Sequence, residues 1–413
     1  MDFKKVELIC TGSELVSSKN NRYVPLFAAK LRPLGFRIYR EHSVGDDLKA
    51  IAKVVNCGLN NADLVITCGG LGPTFDDLTR QGLAKALGRK LTYSKYAEQI
   101  LKADYKLSKL PPNFKNQCLI IDGAKMVENA NGTAFGQIIT LAKKMIIVLP
   151  GPQSEWTPMF DGFMTDAIKE FFKVREGTVQ TLRLKIADLW EVQTEKLLEP
   201  VMRKFHDADY TILAGPNIVE FSFTVSGKTS AKAVKKLSAM EKACREILGD
   251  RIYGAGETTL EEMVGALLKK KKATIALAES CTGGAVADAL TDVPGSSAYF
   301  CGGVTAYSNS VKTDILGVKK STLQKHGAVS AECAAAMAEQ ARKLFKTDYA
   351  AAVTGIAGPD GGTNEKPVGL VYFAVAGAGM KTRTFTRNFR RTRAQIKRCA
   401  VNFILDALRK IIQ

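Results

Sequence analysis

The stretch ALAESCTGGAVADAL puts Ser280, Cys281 and Thr282 directly after an apolar run, with Gly283 and Gly284 directly before a helical one. A strand ending at Glu279 and a helix opening at the glycines would expose a nucleophile on a turn whose free N–H groups can bind an anion. The same residues could form a plain strand-to-helix connection in which Ser and Thr only cap the helix. TAYSNSVK adds Tyr307 and Lys312, and a lysine buried near a serine can serve as its general base once desolvation lowers its pKa. AVTGIAGPDGG is a further strand-to-turn passage, with Thr354, Gly355 and Gly358 available for backbone approach to a ligand. Amide hydrolysis needs a nucleophile, a proton carrier and an oxyanion site; Ser280, Lys312 and the Gly283–Gly284 amides offer one of each. Cys281 is the rival nucleophile, with His326 as its one candidate histidine partner in this part of the chain.

A second constellation lies in CGGLGPTFDDLTRQGLAKAL. Gly69, Gly70, Gly72 and Thr74 form a strand-to-helix turn, followed by Asp76, Asp77 and Thr79. Backbone amides there could hold a phosphate while a carboxylate recruits a divalent cation bridging it, so Asp76 and Asp77 are the candidate metal ligands. One of the two acids would serve as N-cap of a helix from Leu78, which leaves the other to explain.

The elements that must position these residues alternate. Strands VELICTG, FRIYREHSVG and DLVITCGG are separated by helical patterns at Val24 to Leu34 and at Leu48 to Gly58, which predicts an α/β domain with a parallel sheet. QIITLA and KMIIVLPG read as a hairpin, and Ser154 to Phe172 as a closing helix. Between about 173 and 256 the pattern changes: TLRLKIA and EFSFTVSG alternate like half-exposed strands, and two amphipathic helices accompany them, a small α+β module. From Ala273 the α/β rhythm resumes. The predicted domains are 1–170, 171–256 and 257–413.

A length of 413 residues supports two or three cores, and the ordinary composition excludes collagen, low-complexity disorder and disulfide-stapled miniproteins. The N-terminus has no apolar signal-like run and no stretch is long and apolar enough to span a bilayer, so a cytoplasmic protein without membrane contact is expected. Nine cysteines without CxxC spacing predict reduced thiols, and three scattered histidines leave carboxylates as the metal ligands of choice. The net charge of +18 calls for an anionic partner. Ten basic residues between 381 and 413, against Asp406 alone, concentrate that excess on one strand-to-helix passage.

AESCTGG, DVPGSSAYFCGGVTAYSNSVK, HGAVS, VTGIAGPDGG and EKPVGLVYFAV together resemble the nicotinamide-nucleotide amidase domain of the CinA family. The resemblance implies hydrolysis of nicotinamide mononucleotide to nicotinate mononucleotide and ammonia without a cofactor. It makes Ser280 the nucleophile, Tyr307 and Lys312 its proton-handling partners, and Cys281, Thr282, Gly283, Gly284, Thr354, Gly355, Gly358 and Arg393 the substrate-binding residues. Arg391, Thr392 and Arg393 stand where the family usually shows Gly-Asp-Arg, so Arg393 keeps the expected arginine as a phosphate ligand.

TGSEL, VGDD, NANGTAFG and LPGPQSEWTPMF resemble the family's N-terminal domain, which shares the fold of molybdopterin-binding proteins. That implies metal-dependent cleavage of ADP-ribose to AMP and ribose 5-phosphate. The nucleotide would lie on Gly12, Glu14, Gly69, Gly70, Gly72, Thr74, Asp76, Thr79, Gly132 and Thr133. Here Ser13 replaces a usual aspartate, the loop SSKNNR is about two residues shorter than the family pattern, and Ala130 and Phe135 replace prolines. The resemblance also makes the middle module KH-like. It has no GxxG loop to clamp a nucleic-acid backbone, and 15 basic against 12 acidic residues over 169–256 give it little charge, so a spacer or dimerisation element is expected. The expected function is therefore a homodimeric enzyme of pyridine-nucleotide salvage. The alternatives are a pterin- or molybdopterin-binding protein, and a basic nucleic-acid-binding competence protein.

Overall fold

A computed structural model of the chain describes residues 3–18, 20–174, 178–227 and 229–413. Lys19 of the shortened loop and the 175–177 joint lie outside the described residues. The chain divides into two compact units, Met1–Gln180 with Ser226–Ala233, and Thr181–Val225 with Val234–Gln413.

In the first unit the strands are β1 (Lys4–Thr11), β2 (Phe36–Val44), β3 (Leu64–Cys68), β4 (Leu91–Tyr93), β5 (Leu119–Ile121), β6 (Ala124–Val127), β7 (Gly136–Thr140) and β8 (Met145–Leu149). Six of them form one sheet in the order β2-β1-β3-β8-β7-β6, and β4 and β5 pair separately. β2, β1, β3 and β8 are parallel, but β7 and β6 run antiparallel, so the sheet is mixed rather than parallel throughout. Every residue of β3 and of β8 is buried, as a strand covered on both faces must be. The Leu48–Asn61 helix starts where Asp47 accepts from the Ala50 N–H at 2.7 Å, and it runs past Gly58, the expected end. The expected closing helix is broken instead. Gln153–Met159 and Thr165–Phe172 are α-helical, and between them a wide turn accommodates Gly162, whose φ −96°, ψ −108° is not helical. Trp156, fully buried, stacks on Phe27 with ring centroids 4.3 Å apart and anchors this layer to the sheet.

The second unit holds two sheets. β9 (Val179–Ala187), β10 (Asp209–Gly215), β11 (Ile218–Ser226) and β12 (Ile252–Ala255) form the first, ordered β10-β11-β9-β12. The other contains β13 (Ile275–Glu279), β14 (Phe300–Thr305), β15 (Tyr349–Gly355), β16 (Leu370–Gly377) and β17 (Arg383–Asn388), ordered β14-β13-β15-β16-β17. β14, β13 and β15 are parallel, and β16 and β17 antiparallel.

Side-chain size alternates along these strands. Ala276, Ala278, Ala350, Ala352, Ala374 and Ala376 face the Ala331–Phe345 helix, itself lined by Ala334, Ala338 and Ala341. Leu277, Val353, Phe373 and Val375 fill the opposite face against the Arg393–Ile412 helix. Small residues on both partners let helix and sheet approach closely, while the large ones fill the wider layer. β13 is thereby clamped in the middle, and its carboxyl end is held where the Ser280 turn begins.

Candidate active site

Ser280 leaves the end of β13, where its N–H donates to the Val353 carbonyl at 2.9 Å. Gly283 and Gly284, at φ 64° and 96°, then bring the chain into the Ala285–Thr291 helix through a conformation that side-chain-bearing residues resist. The head of this helix is not open to a ligand, as the sequence had suggested. Glu279, 2% exposed, turns its carboxylate back onto it and accepts from Gly284 N at 3.0 Å, Val286 N at 3.1 Å and Ala287 N at 2.8 Å. The Gly283 N–H is taken by the Ser280 carbonyl. Among the described residues, the N–H groups of the turn without a backbone acceptor are those of Cys281, which lies beside its own thiol, and Thr282. The N–H groups that could receive an anion thus lie two residues before Gly283–Gly284, because a buried carboxylate already neutralises the helix end.

Lys312 lies in the Val311–Ile315 turn and is 1% exposed. Its Nζ is 3.1 Å from Ser280 Oγ, 2.7 Å from the Ala306 carbonyl and 3.3 Å from the Tyr307 carbonyl. Burial holds its pKa below the ordinary lysine value. A neutral amine has two hydrogens and one lone pair. The two carbonyls can take the hydrogens, which leaves the lone pair for the Ser280 hydroxyl. Cys281 is buried too, and desolvation pushes its thiol up to about 12, so the thiolate that nucleophilic attack needs is disfavoured. His326 is not with Cys281; its Nδ1 lies 3.5 Å from Glu332.

Tyr307 is exposed, and its hydroxyl accepts from Arg393 Nη2 at 3.1 Å rather than meeting Ser280. Arg393 Nη1 also donates to the Gly358 carbonyl at 2.6 Å. Thr392 caps the helix, its N–H 3.3 Å from Gln395 Oε1, and so places Arg393 at the helix start despite the changed neighbours. One turn on, Lys397 Nζ would stand 3.7 Å from a Cβ at Gly283. Arg393 and Lys397 thus share one helix face beside the nucleophile turn. Lys397 is one of the ten cations between 381 and 413, and its i, i+4 spacing from Arg393 is the signal in the sequence that ties it to this face.

Two expected ligand contacts are internal instead. The Thr354 hydroxyl donates to the Ala328 carbonyl at 2.7 Å, and a Cβ at Gly355 would stand 2.7 Å from the Leu370 carbonyl, so this glycine serves the approach of β16. Thr282 is fully buried, and its Oγ1 has no partner among the described residues.

In the first unit, a cavity of 360 Å³ is lined by Gly12, Glu14, Gly69, Gly70, Gly72, Thr74, Asp76, Asp77 and Thr133, together with Asp46 and Glu155. Gly132 lines an adjoining cavity of 480 Å³ with Asn129 and Tyr105. Thr79 sits beneath the floor, its hydroxyl 2.8 Å from that of Thr11. Neither acid caps the following helix, which begins at Thr79 after an uncapped Leu78. Asp77 closes the loop instead, accepting from Thr74 N at 2.8 Å and Thr74 Oγ1 at 2.5 Å. Arg80, missed in the sequence, is 1% exposed and braces the loop by donating to the carbonyls of Leu71 at 2.9 Å and Gly72 at 3.1 Å. Burial lowers its pKa to about 10. Asp46 is committed to Ser13 and Glu155 to Asn129. No three His, Cys, Asp or Glu side chains gather as a metal site among the described residues. Asp76 and Glu14 remain uncommitted hard-oxygen donors, and a magnesium-type ion, held through one or two carboxylates plus substrate phosphates, fits that set.

Three family models match the chain in order. "Probable molybdopterin binding domain" covers residues 7–170, "Damage-inducible protein CinA KH domain" 181–254, and "CinA C-terminal domain" 257–412. A CinA-like protein of Thermotoga maritima is 38% identical over 416 residues, covering 99% of this chain and 98% of its own. The chain belongs to the CinA family. A CinA-like protein of Endomicrobium trichonymphae is also 38% identical, over 424 residues and 98% of each chain. The solved structure of competence/damage inducible protein CihA from Agrobacterium tumefaciens shares 39% identity, with a TM-score of 0.36, and covers 37% of this chain and 96% of that one. The Ser280–Lys312–Arg393 cluster falls within the CinA C-terminal match and the Gly12–Glu155 cavity within the molybdopterin-binding match. The CinA KH match covers β10, β11 and most of β9.

Proposed function

We propose that the C-terminal domain hydrolyses the carboxamide of nicotinamide mononucleotide to the carboxylate and ammonia. The observation that carries this is the buried Lys312 amine 3.1 Å from Ser280 Oγ. Neutral Lys312 takes the Ser280 proton as Oγ attacks the carbonyl carbon, and the Cys281 and Thr282 N–H groups receive the developing oxyanion. Protonated Lys312 then gives that proton to the leaving nitrogen, the C–N bond breaks, and ammonia departs. Water deprotonated by the same amine attacks the acyl-serine and returns the Ser280 hydroxyl. Arg393 and Lys397 would hold the phosphate, and Tyr307, bonded to Arg393, lies at the edge of that anion site rather than in the proton relay. No step requires a metal. The choice of this nucleotide rests on the family resemblance; the geometry supports an amide substrate with an anionic tail.

The test is ammonia release from nicotinamide mononucleotide by the full chain. Ser280→Ala should abolish it and Cys281→Ala should leave most of it; the opposite pattern would make the thiol the nucleophile.

A second reading concerns the first unit, where a pyrophosphate such as that of ADP-ribose would enter the 360 Å³ cavity among several carboxylates. That placement calls for a divalent ion on Asp76 and Glu14, which would neutralise the phosphates during hydrolysis. AMP formation from ADP-ribose across a panel of divalent ions tests it, and no turnover with any ion sinks it. The nine free cysteines support a reducing, cytoplasmic setting, and homodimerisation through the middle module belongs to the same proposal.

A further inference from the structure

The second unit also holds a cavity of 220 Å³ between the head of the Glu191–Lys204 helix, the β10–β11 turn and the segment after β17, with Ser280, Lys312 and Arg393 absent from its lining. We propose that this cavity binds a small planar aromatic carboxylate.

Trp190 is 62% exposed although its backbone is fixed, its N–H donating to Gln193 Oε1 at 3.1 Å and its carbonyl accepting from Thr194 N at 2.9 Å. An indole held in place and left uncovered is a stacking surface. The Arg391 guanidinium lies 5.9 Å from its ring centroid, and Arg390 lines the same cavity. Neither arginine joins an ion pair among the described residues, and Glu191 is the one acid on the lining, so the site carries a net positive charge. Asn217, at φ 59° in the hairpin turn, keeps a buried Nδ2 with no hydrogen-bond acceptor among the described residues. A buried donor with nothing to donate to marks a place for an acceptor atom.

The walls are tied together in advance. Asn402 Nδ2 donates to the Pro216 carbonyl at 2.6 Å, and Asp188 pairs with Arg387 at 2.8 Å. The volume is below the roughly 300–1,000 Å³ typical of drug-sized ligands, which limits the occupant to one or two rings. Its ring would stack on Trp190, and its carboxylate would meet the two arginines and the Asn217 amide.

The chain has two tryptophans, and Trp156 is fully buried in the first unit, so quenching of fluorescence by an added ligand reports Trp190. The full chain is titrated with pyridine-3-carboxylate, with pyridine-3-carboxamide as the neutral arm and cyclohexanecarboxylate as the non-planar arm. Saturable quenching is expected for the first, with the other two and the Arg391→Gln variant about tenfold weaker. Trp190→Ala, followed by calorimetry, should lose binding while unfolding at the same temperature as the parent. Non-saturating quenching, equal response to the three compounds, or indifference to Arg391→Gln would overturn the site. A Trp190 signal that follows protein concentration alone would also overturn it, by assigning the surface to a second copy of the chain.

Discussion

At the scale of single residues, the site turns on one buried amine whose pKa burial lowers. Lys312 has two backbone carbonyls and a serine around its Nζ and, among the described residues, no carboxylate paired with it. Its folded pKa is lowered, so the active, deprotonated form accumulates as pH rises. kcat/KM for ammonia release should therefore climb with pH and level off below the ordinary lysine range. Lys312→Arg, which cannot deprotonate, should lose activity by about 10²-fold or more at every pH, as a pH–rate profile would show. The same shift affects stability. Between the lowered folded pKa and the ordinary lysine value the unfolded chain holds more protons, so stability rises with pH across that window, and below it the cost of the buried cation is felt in full. Arg393→Ala removes a cation from the phosphate side and leaves the Ser280–Lys312 pair in place, so KM should rise more than kcat falls.

At the scale of elements, Glu279 joins strand to helix. Its carboxylate accepts three backbone N–H groups, so Glu279→Ala would take the acceptor from one buried and two half-buried donors and should cost about 1–3 kcal/mol in urea unfolding. Ammonia release should fall as well, because the Cys281 and Thr282 amides lose their fixed direction. The alanine-lined layer makes a complementary prediction. Ala352 is fully buried against the Ala331–Phe345 helix, and Ala352→Leu would force the two apart, costing about 1–3 kcal/mol by overpacking.

For the molecule as a whole, charge and a buried ion pair matter most. Arg409 and Asp406, at 1% and 3% side-chain exposure, pair at 2.7 Å, and Arg409 also donates to the Asp250 carbonyl at 2.5 Å, tying the last helix to the end of the middle module. Asp406→Leu would leave Arg409 buried without its counter-ion and should destabilise the second unit by about 3–5 kcal/mol. The double variant with Arg409→Met should recover most of that in thermal unfolding. The net charge of +18 should speed capture of an anionic substrate at low salt. kcat/KM should accordingly fall as salt is raised while kcat stays nearly level, and Lys397→Ala should flatten that dependence.

The sequence by itself determined the α/β class and the glycine-backed turn at Ser280, while the antiparallel pairing of β6 with β7 and the break at Gly162 came only with the structure. The strand-helix alternation and the almost all-apolar β3 are short-range patterns, and short-range patterns report which face is covered. Ser280 was legible because Gly283 and Gly284 demand a turn directly behind it. Only the tertiary structure decided how the polar groups pair. Glu279 reads as the last residue of a strand, and nothing in its spacing says that its carboxylate fills the helix end that the glycines seemed to leave open. Arg80 reads as an ordinary helical arginine until Leu71 and Gly72 are folded over it. Tyr307 stands five residues from Lys312, yet its hydroxyl turns to Arg393, far along the chain. Backbone periodicity is a property of neighbours in sequence, whereas the pairing of a buried donor depends on which distant acceptor the packed core brings within 3 Å.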